Sequence, residues 1–541
     1  MNQHPIMQSQ LPIRVCTSLE MKEFDDLAQD RYSLSIEVLM ENAGRAATHI
    51  LMEHFPEAGM KEEILLFAGK GRNAGDAFVV ARRLICLGRK ARVFHLAPRE
   101  TMKGIELKNF EILEKLGARL THLESGSELK EYVNNVQRIG LAIDGLFGIG
   151  LKGPLEGIYY DVVEIMNQYA DRIVSLDLPS GVHCDTGAVH GTCVDADLTI
   201  SFGFPKLGHF LPPGAGYRGR LVNVDISYPP QFRSKGKLYL LQERVLSEKL
   251  NRRNSYAHKN DFGHVCLVGG SPEMMGAIIM ASKACLKTGT GLVTVATWED
   301  TLGALRTRLP DEVMTAAIQL NDSSLNFYKE RLDRFSSFIL GPGLGKRPEG
   351  RQLVELVLNH FEGPLVLDAD ALNIVSEYQM HQLIARRKGP TVLTPHPGEM
   401  ARLIGVSKEE VLKDQLKSVE TAVEKTQATV VLKGAATFIA VPDETICLNH
   451  FPNEGMATAG AGDVLAGVIG GLLGQSSFTP EEATQLGVFL HSKAGDLASV
   501  SYGRRSMSAS DIITALPQAF TELKELKKQP PPAERGRVTI R

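Results

Sequence analysis

Ile64-Leu65-Leu66-Phe67-Ala68-Gly69-Lys70-Gly71-Arg72-Asn73-Ala74-Gly75-Asp76 decides the fold class of the first half of this 541-residue chain. Five apolar residues in a row read as a strand buried on both faces. Apolar side chains at Phe78, Val79, Leu84 and Ile85 read as the inward face of a helix beginning at Asp76. The glycine loop between them lets the backbone approach a ligand, and the helix N-terminus offers free N–H groups to an anion. An ordinary strand–helix turn with Asp76 as N-cap fits the same residues equally well.

Working outward, apolar runs at 91–97, 141–147, 173–178, 198–202 and 221–226 alternate with helical segments. That pattern predicts an α/β domain whose parallel sheet is covered on both faces. Tyr228-Pro229-Pro230 and the polar stretch 231–237 break it, which sets domain bounds of 1–235 and 236–525. The second domain repeats the theme. Its strands are expected at 264–268, 292–296, 338–340, 365–367, 391–393, 429–432 and 437–441. Its helices are expected at 277–287, 399–404, 408–425, 464–473 and 481–500. Residues 526–541, with Pro530 to Pro532 and many charges, read as a flexible tail.

Composition narrows the classes. Lys plus Arg number 60 and Asp plus Glu 63, for a net charge of −3, which disfavours a nucleic-acid partner. No apolar run approaches the roughly 18 residues of a membrane span, and the first 14 residues lack a signal-type apolar core. The seven cysteines are scattered and form no CxxC pair, so neither a zinc site nor a disulfide frame is indicated. A soluble, reduced, cytoplasmic protein is expected.

In the first half, three strand ends carry unusual residues. Beside the loop Gly69–Asp76 stand Asp144-Gly145-Leu146-Phe147-Gly148-Ile149-Gly150-Leu151-Lys152-Gly153 and Ser175-Leu176-Asp177-Leu178-Pro179-Ser180-Gly181. In an open parallel sheet, ligands sit beyond the carboxyl ends of the strands, where all three loops emerge. Asn73, Asp144 and Ser180 would supply oxygens suited to a hard cation, and Asp177 would transfer a proton.

In the second half, Asn453-Glu454-Gly455-Met456-Ala457-Thr458-Ala459-Gly460-Ala461-Gly462-Asp463 precedes an apolar helix. Small residues leave its N–H groups bare as an anion hole, and Asp463 stands where it could deprotonate a hydroxyl attacking phosphorus. Lys433-Gly434-Ala435-Ala436-Thr437 joins two strands and could hold a nucleotide, or be a plain hairpin turn. His396, between Pro395 and Pro397, could bond a ligand, and Asp368, Asp370 and Asn373 could face one or cap a helix. No GxxxxGK[ST] occurs, which disfavours a P-loop ATPase.

On these motifs the first half resembles the NAD(P)H-hydrate epimerase family, with a Rossmann-like doubly wound sheet. The resemblance implies that Arg72, Asn73, Ala74, Gly75 and Asp76, with Gly148, Ile149, Gly150, Leu151, Lys152, Gly153 and Pro154, contact a hydrated dinucleotide. It further implies that Asn73, Asp144 and Ser180 carry K+ and that Asp177 catalyses exchange of the two C6 epimers. Arg72 replaces an asparagine, and Ala74 and Ala77 replace glycines of the family loop. Arg72 could offset that stiffening by pairing with a phosphate.

The second half resembles the NAD(P)H-hydrate dehydratase family, with a ribokinase-like α/β fold. The supporting segments are 264–272, 275–277, 289–295, Thr394–Glu399, Leu432–Ala435 and Gly460–Asp463. The resemblance places Ala277, Gly343, His396 and Asp463 on the hydrate, and Lys433, Gly434, Ala435, Ala436, Thr437 and Gly462 on ADP, with Mg2+. It implies phosphorylation of the C6 hydroxyl followed by loss of phosphate, giving AMP from ADP. Hydrated NADH and NADPH would be the substrates, and a homo-oligomer is expected. Two alternatives stay open: a small-molecule kinase with an N-terminal nucleotide-binding module, and a scaffold whose first loop only binds.

Overall fold

The computed structural model describes residues 13–250, 253–318, 332–443, 445–528 and 537–540. They fall into two compact units that meet in sequence at Gly236 and Lys237, the short strand at 537–540 belonging to the first.

In the first unit seven strands run parallel: Ile64–Ala68, Ala91–His95, Arg119–His122, Leu141–Gly145, Ile173–Leu176, Leu198–Phe202 and Arg220–Val224. Numbered in that order, they lie 3-2-1-4-5-6-7 across the sheet. The chain reverses its winding between Ile64–Ala68 and Leu141–Gly145, which opens a crevice at their carboxyl ends. The strands are apolar on both sides because helices cover both faces. Helices Ile36–His54 and Arg72–Cys86 bury Leu39, Ala43, Ala47, Phe78 and Leu84 in one core cluster. Phe67 and Phe94 stack in a second.

Three readings need correction here. The helix after the first loop starts at Arg72 with Gly71 as its N-cap, so Asp76 lies in the second turn and caps nothing. Gly71 (φ +93°) makes the bend before that helix, a conformation that favours glycine. Arg119–His122 was not anticipated, because an edge strand of four residues, exposed to half-buried, carries no apolar run. Within the region expected to be a flexible tail, Arg537–Ile540 forms a strand antiparallel to Arg220–Val224.

The second unit repeats the winding. Strands His264–Val268, Leu292–Trp298, Val313–Ile318, Ser337–Leu340, Leu365–Leu367, Thr391–Leu393 and Thr429–Leu432 are parallel and again ordered 3-2-1-4-5-6-7. The sheet continues antiparallel through Ala436–Ala440 and Ile446–His450, and Leu238–Leu240 then pairs parallel to the last of these. Helices Met275–Lys287, Ala461–Leu473 and Pro480–Tyr502 contribute to the main apolar cluster. The helix expected over 408–425 is two helices, broken at Asp414, whose carboxylate caps the second through Lys417 N–H (3.1 Å).

The two crevices are built alike. At Gly69 a Cβ would lie 2.2 Å from the Leu146 carbonyl oxygen, and at Gly269 it would lie 2.2 Å from that of Pro342. Any side chain at either point would force the two crevice loops apart.

Candidate functional site

The crevice of the first unit is a cavity of about 670 Å³. Lys70, Arg72, Asn73 and Asp76 reach it from the first loop and its helix, Phe147, Gly148, Ile149 and Gly150 from the second loop, and Asp177 from the third. The three strand ends singled out in the sequence therefore share one cavity. The remaining expected contacts lie elsewhere. Ala74 is fully buried in the core, and a Cβ at Gly75 would sit 2.7 Å from Met40 Sδ. Leu151, Lys152, Gly153 and Pro154 are not part of the lining. Arg72, expected to meet a phosphate, instead pairs with Asp25, whose other oxygen accepts from Tyr228 Oη at 2.5 Å.

Asp144 is buried and holds the crevice loops together. Its carboxylate accepts from Ser180 Oγ (2.6 Å), Ser175 Oγ (2.8 Å), Ser180 N–H (2.9 Å) and Leu146 N–H (3.1 Å). Burial raises its pKa, against the pull of these donors. Asn73 is also buried, yet neither end of its amide has a partner. An orphaned buried amide costs free energy unless something binds it. A cation taking its carbonyl oxygen would meet the need of that end.

Asp177 is not within its strand, as the sequence suggested, but one residue beyond it, at φ +68°. A non-glycine residue there is strained, and such strain is concentrated at functional sites. Its Oδ1 accepts from Phe202 N–H (3.1 Å) and from Lys206 Nζ. Asp76, facing the same cavity, has its pKa pushed well above the usual carboxylate range by burial and by the charges of Asp177 and Asp25. Lys206, Asp25 and Tyr228 were missed in the sequence. A lysine in the apolar run Phe202-Gly203-Phe204-Pro205-Lys206 was the signal available.

In the second unit, Asp463 lies in the first turn of Ala461–Leu473, whose N-terminus follows Gly460 and has no side-chain cap. The preceding loop is open, with Ala457 and Ala459 exposed. Burial, and then the charge of Asp368, push the Asp463 pKa up to about 7. Lys433 stands beside it: a Cβ at Gly462 would lie 3.3 Å from Lys433 Nζ. That ammonium pairs with Asp368 Oδ1 (2.8 Å) and lies 3.7 Å from Glu399 Oε2. Burial alone would lower the Lys433 pKa, but the two carboxylates raise it. Lys433 thus ties the loop expected to hold nucleotide to the corner expected to carry the base, while Gly434 and Ala435 form its exposed tip. Ala436 begins the next strand, and Thr437 Oγ donates back to Gly434 O (3.1 Å).

The other expected residues divide. Gly343 and Ala277 adjoin, since a Cβ at Gly343 would lie 3.2 Å from that of Ala277. His396 caps the helix Pro397–Ile404, Nδ1 accepting from Gly398 N–H (2.9 Å). The Nε2 proton is then left to face Glu399 Oε1 (3.4 Å) or a ligand. Asp368 faces Lys433, whereas Asp370 accepts from Gly345 N–H (2.8 Å) and Asn373 from Arg402 Nε (2.9 Å), both structural roles. Replacing Lys433 by methionine is expected to strand Asp368 and Glu399 without their cation. A loss of about 3–5 kcal/mol in thermal or denaturant unfolding should result.

The geometry can be set beside known proteins. A family model described as NAD(P)H-hydrate dehydratase matches residues 265–518, and one described as YjeF-related protein N-terminus matches residues 36–208. The bifunctional NAD(P)H-hydrate repair enzyme of Moorella thermoacetica is 39% identical over 94% of this chain and 97% of its own. Its counterpart in Thermofilum pendens is 37% identical over 95% of this chain and 97% of its own. The Escherichia coli counterpart is 31% identical over 94% of each chain.

Proposed function

Since the chain belongs to the bifunctional NAD(P)H-hydrate repair enzymes, we propose how its two crevices divide that work. The protein epimerises hydrated NAD(P)H and dehydrates it to NAD(P)H. We assign epimerisation to the first crevice, with Asp177 as the proton-transfer residue and Asn73, Asp76, Gly148, Ile149 and Gly150 around the substrate. We assign dehydration to the second, with Asp463 deprotonating the C6 hydroxyl while the bare helix N-terminus receives the phosphoryl group. ADP is the proposed donor, held by Lys433 to Thr437 and Gly462. The observation that carries this reading is a carboxyl of pKa about 7 in the first turn of an uncapped helix, beside a half-buried lysine. A base poised near neutral pH is what proton abstraction from a hydroxyl needs.

Two ions follow from the same reading. Mg2+ would neutralise the nucleotide phosphates. We place K+ at Asn73 Oδ1, which has no partner, with Asp144 and Ser180 as ligands it would draw from their present hydrogen bonds; there it would supply positive charge beside the substrate. Asn73→Ala is therefore expected to raise the K+ concentration needed for epimerisation by about 10–100-fold. An unchanged K+ requirement would remove Asn73 from the site.

All seven cysteines are free, and we propose a cytoplasmic setting. Among the described residues no helix is long and apolar enough to cross a membrane. The deciding experiment supplies each epimer of the hydrate with ADP and follows the return of NADH absorbance. Consumption of both supports the assignment. Accumulation of a stable phosphorylated product would instead support the kinase alternative.

A further inference from the structure

Asp177 is restrained at both its side chain and its main chain. Its Oδ1 carries two donors, Phe202 N–H at 3.1 Å and the Lys206 ammonium. Its Oδ2 faces Gly148, where a Cβ would lie 3.5 Å away, on the cavity side. Its main-chain carbonyl accepts from His209 Nε2 at 2.8 Å. The His209 tautomer is fixed by the chain itself, because Lys206 N–H donates to Nδ1 at 3.0 Å and so leaves the proton on Nε2. Both restraints come from one short turn, Leu207–His209 and the residue before it. That turn is in turn strapped to Cys16, whose N–H donates to Pro205 O (2.9 Å) and whose carbonyl accepts from Leu207 N–H (3.0 Å).

Lys206 is 1% exposed, and its ammonium has three acceptors: Asp177 Oδ1, Phe202 O at 2.9 Å and Ser201 Oγ at 3.2 Å. An ammonium has three N–H bonds, so none is left over for a substrate. That rules against Lys206 as the acid or base of the reaction and leaves it acting through Asp177.

We infer that Lys206 and His209 form a positioning clamp for epimerisation, holding Asp177 with Oδ1 locked and Oδ2 alone presented to the substrate. This rests on the assignment of Asp177 made above and extends it. Inversion at C6 breaks the C6–N1 bond: as the C6 hydroxyl loses its proton its oxygen becomes a carbonyl and the bonding pair passes to N1, which then adds back to the other face of that carbonyl. The hydroxyl proton that Oδ2 takes in the first half is returned in the second, so no co-reactant is consumed. A carboxylate free to rotate would present either oxygen, and a displacement of about 1 Å can cost 10²-fold in rate. His209 serves as a neutral donor: burial, and then the charges of Lys206 and Arg218, hold its pKa well below the usual histidine value. The clamp thereby places a single positive charge at Asp177.

The test measures epimerisation of the R form by the full chain, with turnover of the S form by the same chain as an internal control of enzyme concentration and the melting of the first unit as the control of its folding. Lys206→Met is expected to lower kcat for epimerisation by about 10²-fold with KM unchanged, since positioning of a transition-state group is lost and binding is not. Lys206→Ala is expected to regain activity with added methylammonium and not with methanol of similar size. A space-filling role would be served by both. His209→Gln, which keeps a donor for the Asp177 carbonyl, should retain more activity than His209→Ala. Full kcat in Lys206→Met, a loss confined to KM, or equal rescue by methanol would each overturn the clamp. If Lys206→Met lowers the melting temperature of the first unit, the methylammonium comparison in Lys206→Ala decides. Asp177→Asn run alongside separates the two levels. If that variant still epimerises, the assignment of Asp177 fails, whereas a dead Asp177→Asn with an unimpaired Lys206→Met defeats the clamp alone.

Discussion

Asp463→Asn is expected to lower turnover of the S hydrate by about 10²–10⁴-fold, the usual contribution of a positioned general base. The amide keeps the shape and cannot take the proton, so the loss should fall on kcat and leave nucleotide binding in place. The pH dependence gives the assignment a second handle. Burial and the neighbouring Asp368 hold the Asp463 pKa near 7, and only the ionised form is a base. The wild-type rate should therefore climb as pH rises through about 7 and flatten above it, a limb missing from the asparagine variant. Stability should move the other way. The folded-state pKa lies above the unfolded one, so the wild type carries a cost that grows as pH rises from about 4 to about 7. Asp463→Asn escapes that cost, and above neutral pH it should melt higher than the wild type. A variant that turns over at the wild-type rate, or a wild-type profile flat across pH 6–8, would sink the role of Asp463.

Asp177→Asn should produce the second large effect, a fall of about 10²–10⁴-fold in epimerisation with dehydration untouched. Starting from a mixture of epimers and ADP, NADH absorbance should rise quickly and then stop at the S fraction, creeping on only at the spontaneous rate. Wild-type protein should carry the same mixture to completion. Rapid completion by Asp177→Asn would place the proton transfer on another residue.

The site was legible in the sequence where chemistry and backbone requirement coincide. The loops after Ala68, Gly145 and Leu176 had to meet, because parallel strands with bare glycine ends put their loops on one edge. Asp463 stood out for the same reason, after a run of small residues longer than any turn needs. What could not be read were partners brought from afar. Lys206 meets Asp177 across 29 positions, Asp368 meets Lys433 across 65, and Asp25 meets Tyr228 across 203. Nor could the sequence show that Ala74 and Gly75 turn inward, since that follows from the helix starting at Arg72. The same register error made Asp76 look like a cap.

By itself, then, the order of residues determined two doubly wound sheets and pointed to the edge at which we place each ligand and to the carboxylates we propose there. Apolar periodicity and bare glycine loops are local properties, written in neighbouring residues. Only the tertiary structure decided the state and aim of those carboxylates: Lys206 locking one oxygen of Asp177, and burial beside Asp368 bringing Asp463 to near neutrality. Protonation and orientation depend on desolvation and on charges a few ångströms away, and those are distances that exist only once the chain has folded.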